Sequence, residues 1–212
     1  GDCFDIHDNT DRFGKSTWEK AESEMQRLAF NTALSKLSLS ERQIEALFAG
    51  DLLNQCVGSS YGLLDFDIPY FGLYGACSTM GESLGLAAML VDGGFADNCC
   101  AMTSSHFCSA ERQFRLPLEY GGQRAPTAQW TATAAGCAIL GAEPKLGAAQ
   151  IIRLTAGRII DLGIKDANNM GAAMAPAAFA TIKAHFDDFG VTADHFDLIV
   201  TGDLGQLGKE MV

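Results

Sequence analysis

LSLSERQIEALFAGDL, residues 37–52, superposes without a gap on FGVTADHFDLIVTGDL, residues 189–204. The offset is 152 (202 − 50), and it aligns the apolar positions as well as the closing Gly-Asp-Leu. A shared tripeptide alone is weak, but turn, apolar run and loop match in order, so duplication is the better reading. A helical stretch precedes each copy. In STWEKAESEMQRLAFNTALSKL, residues 16–37, Trp18, Ala21, Met25, Leu28, Ala29, Thr32 and Ala33 keep the i, i+3, i+4 rhythm of a helix with one buried face. Ser16 followed by Glu19 reads as its capping box. Residues 169–189 are the counterpart in the second copy.

Between the copies the pattern stays α/β. IPYFGLYG (68–75) is a buried strand running into a helix from Ser78 to Val91, which Gly93-Gly94 ends. NCCAMTSS (98–105) is a third strand, ending at His106, and TAQWTATAAGCAILG (127–141) is a fourth, rich in small residues. Strands alternating with helices predict a layered α/β/α unit with a mostly parallel sheet covered on both faces. Residues 1–147 then form a first repeat and 148–212 the start of a second, opening on the strand-like AAQIIRLTAG (148–157). The first-copy equivalent of that strand would fall mostly before Gly1, so the chain is expected to be a piece of one longer at both ends. A strand in that place is expected to be central, and its loss to leave a gap of unpaired backbone that makes the isolated chain prone to aggregate.

At 212 residues with 48% hydrophobic and 19% charged, the chain can bury a core and is no disordered tail. A net charge of −11 with no Lys/Arg cluster repels phosphate backbones, which argues against nucleic acid as a partner. No apolar run is long enough for a membrane span and no signal-peptide pattern opens the sequence, so membrane association must come through partner proteins. Seven cysteines, an odd number without a C-x-x-C pair, read as free thiols in a reducing compartment. The four histidines lack metal-ligand spacing, and no cofactor or metal is predicted.

Chemistry concentrates at Tyr74-Gly75-Ala76-Cys77-Ser78-Thr79-Met80, where a strand gives way to a helix. A helix N-terminus favours thiolate over thiol, which poises Cys77 as a nucleophile. The competing reading is a small residue chosen because the elbow has no room. Ser105 and His106 follow a parallel strand at the carboxyl edge of the sheet, where open α/β sheets place ligands, and so are candidate pocket residues beside Cys77. For His106 the alternative is a loop histidine bonded to backbone. Arg112 and Arg115 either grip a carboxylate as two-pronged donors or lie on a solvated helix face, with Glu111 pairing Arg115. Asp51 and Asp203, at equivalent points of the two copies, are expected to hold loop N–H groups.

With the elbow cysteine set inside a duplicated unit, the sequence resembles the thiolase and ketosynthase superfamily, Cys77 standing at the nucleophile position. More narrowly, AGDLLNQ (49–55), FGLYGACSTM (71–80), LVDGGFA (90–96), TSSHFCSAERQFR (103–115), EYGGQ (119–123), DLGIKD (161–166) and MGAAMAPAA (170–178) resemble the stage V sporulation protein AD family. The resemblance implies a thiolase-like fold and a homodimer when full length. It also implies a non-catalytic role: binding dipicolinic acid or its calcium chelate and supporting uptake into the developing spore. The implied setting is peripheral, on the cytoplasmic side of the spore's inner membrane, beside membrane proteins of the same operon. The rival is an acyltransferase using Cys77. Thiolase-type catalysis needs further acid-base groups from second-repeat loops, which in the family pattern lie beyond Val212.

Overall fold

A computed structural model describes residues 2–114, 129–143, 145, 147–166 and 168–212. The chain forms two compact units, residues 1–120 with 131–150, and residues 121–130 with 151–212.

The first unit is built on a four-stranded sheet, β1 (Ala46–Gly50), β2 (Tyr70–Leu73), β3 (Asn98–Ser105) and β4 (Ala134–Gly141), in the order β2-β1-β3-β4. β1 runs parallel to β2 and to β3, and β4 is antiparallel to β3. The pleat sends alternate residues to opposite faces. Leu47, Ala49, Cys100 and Met102 face one way, packing with Phe30 and Leu34 of α1 (Trp18–Leu37). Ala46, Phe48, Cys99 and Ala101 face the other way, with Leu84, Ala87 and Leu90 of α3 (Thr79–Asp92). Two helical layers on one mixed, mostly parallel sheet make the α/β/α sandwich that the alternation predicts. β1 is buried at all five positions, as a strand covered on both faces must be.

Several expectations need correcting. No central position in the sheet is vacant: β1 pairs directly with β3 over five residues, Ala46↔Cys99 to Gly50↔Thr103, so the predicted gap of orphaned backbone does not exist. α1 is capped by Thr17, whose Oγ1 accepts the Lys20 N–H at 3.2 Å, rather than by Ser16. Its buried face is also turned. Ala21, Glu22, Met25, Gln26, Phe30 and Leu34 are buried, while Leu28, Ala29, Thr32 and Ala33 are only partly so. Glu22 and Gln26 carry no apolar signal, yet both lie on the buried face. β4 begins at Ala134, and residues 115–128 lie outside the described set.

The second unit carries α5 (Met170–Phe189), capped by Asn169, and α6 (Gly205–Met211). These cross at small residues, since a Cβ on Gly171 would stand 1.9 Å from the Leu204 carbonyl oxygen and one on Gly208 2.9 Å from that of Gly171. The runs 148–157 and 195–200, expected as strands, have no ladder partner among the described residues, and Ile152, Leu198 and Val200 are exposed. Local geometry nevertheless recurs at the offset of 152: one 3-10 turn spans Glu41–Gln43 and another Ala193–His195. Asp51 Oδ1 accepts the Leu53 N–H and Asp203 Oδ1 the Gly205 N–H, each at 2.8 Å.

Beneath the carboxyl ends of β1 and β3 lies a sealed polar network. Glu22, Gln26, Asp51, Ser59, Ser104 and Ser109 are all buried. Asp51 Oδ2 accepts the Ser59 N–H (2.7 Å) and hydroxyl (2.6 Å), which fixes the loop from β1 into α2 (Val57–Gly62). Gln26 Nε2 lies 3.1 Å from the Gly50 carbonyl, 2.8 Å from Ser59 Oγ and 2.9 Å from Ser104 Oγ. Ser104 and Ser109 hydroxyls donate to the two oxygens of Glu22, at 3.0 and 2.8 Å. Gly58 leaves no room above this cluster, since a Cβ there would come within 3.1 Å of Asp51 Cγ and 3.2 Å of Glu22 Cγ.

Burial raises the Glu22 pKa from 4.5 to about 7, with the Asp51 charge adding to the effect and the two serine hydroxyls opposing it. Between pH 4.5 and 7 the folded state therefore holds a proton that the unfolded chain has released, and stability falls as pH rises through that window. At about 1.4 kcal/mol per pKa unit the loss approaches roughly 3 kcal/mol. Glu22→Gln should remove this slope. Urea unfolding at pH 4.5 and 8 should show the variant gaining stability relative to the parent at the higher pH; parallel pH profiles for the two proteins would contradict the assignment.

Candidate functional site

The elbow between β2 and α3 is shaped by backbone constraint. Ser78 donates both its N–H (3.0 Å) and its hydroxyl (2.8 Å) to the Gly75 carbonyl, closing a 3-10 turn over Ala76–Ser78. Ala76 takes a left-handed φ of 48°, a conformation that costs a residue with a Cβ about 1 kcal/mol or more. A Cβ on Gly75 would meet Ser78 Oγ at 2.6 Å and Glu82 Oε2 at 2.7 Å. This turn lifts Cys77 out of the sheet to an exposed position at the start of α3. Glu82, in the first helical turn, brings a carboxylate to the same elbow, and its negative charge offsets the pull of the helix N-terminus on a thiolate.

Ser105 ends β3 and His106 follows it, with β1 between β3 and β2. At about 4.8 Å per strand, the ends of β2 and β3 are about 10 Å apart. Ser105 donates its hydroxyl to the Ala132 carbonyl at 2.7 Å, tying β3 to the chain that enters β4. His106 is fully buried. Its Nδ1 accepts the Cys108 N–H at 3.1 Å, so its Nε2 carries the proton and donates to the Asp11 carbonyl at 2.8 Å. Both ring nitrogens thus bind backbone. His106 pins the N-terminal segment to the head of α4 (Phe107–Phe114), the backbone-bonded alternative of the two sequence readings.

Arg112 donates to Glu19 Oε1 at 2.9 Å, and its guanidinium stacks 4.5 Å from the centroid of Trp18. Arg12 stacks on the same ring at 4.5 Å, and Trp18 Nε1–H donates to Asp11 Oδ2 at 2.7 Å. The fork of Arg112 is therefore engaged within the N-terminal clamp. Arg115 lies outside the described residues. Asp51 holds loop N–H groups as expected.

The sequence reading missed Glu22, Gln26, Asp11 and Trp18's part in the clamp. For Glu22 and Gln26 a signal existed: with Trp18 they stand at i, i+4 and i+8 of α1, two polar residues on a buried stripe. Asp11 had none, since its partner His106 is 95 residues away. No group of three or more His, Cys, Asp or Glu side chains among the described residues could hold a metal ion. No helix among them is long and apolar enough to cross a membrane.

The stage V sporulation protein AD family model matches residues 1–212. Stage V sporulation protein AD of Bacillus subtilis (strain 168) is 47% identical over 212 residues, covering all of this chain and 62% of that protein. The chain thus spans less than two thirds of that relative's length. Among solved structures, a single-residue variant of OleA from Xanthomonas campestris, bound with cerulenin, matches with a TM-score of 0.68 at 14% identity, over 89% of this chain and 60% of that one. AbyA1, a tetronic acid condensing enzyme, matches with a TM-score of 0.61 at 16% identity, over 89% and 65% respectively. At such identities the likeness is one of fold, the layered thiolase-like sandwich. With its whole length matched by the family model and nearly half its residues identical to the Bacillus protein, the chain belongs to the stage V sporulation protein AD family.

Proposed function

We propose that the intact protein binds dipicolinic acid as its calcium chelate and supports uptake into the developing spore without making or breaking a bond. Family membership carries this reading. The elbow adds a physical reason for the chelate. Glu82 brings its carboxylate to the elbow that carries Cys77, Arg112 is held by Glu19, and the chain carries −11, so a dianion meets repulsion that a charge-neutral calcium complex escapes. Residues 148–212 are read as the beginning of a second repeat, which the recurrence of turn and aspartate geometry at the offset of 152 supports. The setting fits a peripheral protein working beside membrane proteins of its operon.

An acyl-transferring enzyme is the rival, favoured by the exposed elbow cysteine and a fold shared with condensing enzymes. The intact protein is also read as a homodimer through the outer edge of β2. That strand ends the sheet among the described residues, and beside it lies an open apolar groove lined by Phe48, Phe71, Leu73, Met89 and Phe95. A two-fold axis at this edge would pair β2 antiparallel with its own copy, a self-complementary arrangement that needs no other partner.

Calorimetric titration of the full-length protein with calcium dipicolinate should give saturable binding. Cys77→Trp should weaken it at least tenfold, about 1.4 kcal/mol. No heat at millimolar ligand would sink the reading, and tighter binding of free dipicolinate than of the chelate would sink the charge argument. After incubation with short acyl-CoA thioesters, mass spectrometry should find Cys77 unmodified, whereas an acyl adduct there would establish the rival. Size-exclusion chromatography should give a dimer for the intact protein and a monomer for Phe71→Asp; an unchanged dimer in the variant would place the interface elsewhere.

A further inference from the structure

In the antiparallel ladder of β3 and β4, Cys100 stands opposite Ile139 and Cys137 opposite Met102. The two cysteines are therefore diagonal neighbours on one face of the sheet, the face that packs against α1. Their sulfurs are 3.3 Å apart, closer than the usual contact of two unbonded sulfurs. Cys100 is fully buried between Cys99 and Ala101, whereas Cys137 is only partly covered. Nothing in the reading of the elbow uses either thiol.

We propose that Cys100 and Cys137 are an oxidisable dithiol that closes to an intramolecular disulfide when a hydroperoxide reaches Cys137. The exposure difference assigns the roles. Cys137, as thiolate, attacks one oxygen of hydrogen peroxide; an S–O bond forms, the O–O bond breaks, and the departing hydroxide takes up a proton as water. The sulfenic acid so formed sits against Cys100, whose sulfur attacks it; the S–S bond forms, the S–O bond breaks, and a second water leaves. Two thiols lose two hydrogens and one peroxide becomes two waters, so no other reductant is required. The hydrogen bond with Cys137 and burial both hold the Cys100 thiol well above its usual range, so it stays protonated and unreactive toward peroxide itself, and its proton leaves with the sulfenic hydroxyl as the second water.

The diagonal placement also decides reversibility. Directly opposed residues bring Cβ atoms closer than diagonal ones, so bridging Cys100 to Cys137 must draw β3 and β4 together locally. A crosslink strained in this way is readily reduced again, the behaviour of a labile rather than a permanent disulfide.

The test uses the intact protein exposed to hydrogen peroxide, alkylated, digested with trypsin and mapped by mass spectrometry. Arg112 separates the two cysteines into different peptides, and fragment ions tell Cys100 from Cys56, Cys77, Cys99 and Cys108, which share its tryptic peptide. Expected is a peptide pair joining Cys100 to Cys137, two hydrogens lighter than its parts and recovered as two alkylated peptides after dithiothreitol. Cys77→Ser should leave this crosslink unchanged, and Cys137→Ser should abolish it while Cys100 stays reduced at the same peroxide dose. Recovery of both thiols reduced, of Cys137 as sulfinate without a crosslink, or of Cys100 joined to another cysteine would overturn the proposal. The mapping on the unsubstituted protein decides it even if a variant folds poorly, and its outcome is independent of ligand binding at the elbow.

Discussion

The side-chain amide of Gln26 ties together the elements on which the first unit depends. From α1 its nitrogen reaches the last carbonyl of β1, the Ser59 hydroxyl of α2 and the Ser104 hydroxyl of β3. Each of these groups is buried, so none can fall back on water; Ser59 and Ser104 keep their carboxyl partners, but losing the amide would strip all three oxygens of its N–H donors. Apolar packing alone would let α1 slide or rotate on the sheet. A set of directional bonds fixes its register, and with it the loops that leave the carboxyl ends of β1 and β3.

Those loops decide what the sheet edge can present. Asp51 draws the first of them inward by accepting three donors, so that Gly58 rests directly on the Asp51 carboxyl and the Glu22 methylene. His106 draws the second inward and fastens the N-terminal segment over it through Asp11, with Trp18 stacked against both Arg12 and Arg112. The loop after β2 projects instead, because Gly75 and the left-handed Ala76 turn the chain outward before α3 begins. The exposure of Cys77 is thus partly a consequence of how firmly its neighbours are buried.

Glu22 is the most sensitive point in this arrangement. Its two oxygens are served by serine hydroxyls, which can rotate to donate or accept and so tolerate either protonation state of the carboxyl. Asp51 instead accepts backbone N–H groups, which cannot rotate, and so holds the loop in one geometry.

Local sequence determined the helices and strands of the first unit, because periodicity and breakers act within a few residues. The strand expected over 98–105 is β3 to the residue, and Gly93-Gly94 ends α3 where expected, with the Gly93 N–H on Met89 and Gly94 at a φ of 71°. The elbow at Cys77 was legible for the same reason, being a strand, a short turn and a helix in close succession. Which strands would be neighbours was not legible, since β1 and β3 are separated in sequence by β2 and α3, and only the packing of α1 and α3 on opposite faces brings them together. Nor was the fate of His106 or Arg112, whose partners Asp11 and Glu19 lie 95 and 93 residues away. A histidine or arginine in a loop carries no mark of what will face it. Residues 148–157 and 195–200 show the limit from the other side: a strand-like pattern states a preference, and becomes a strand only where a neighbour supplies the other half of the ladder.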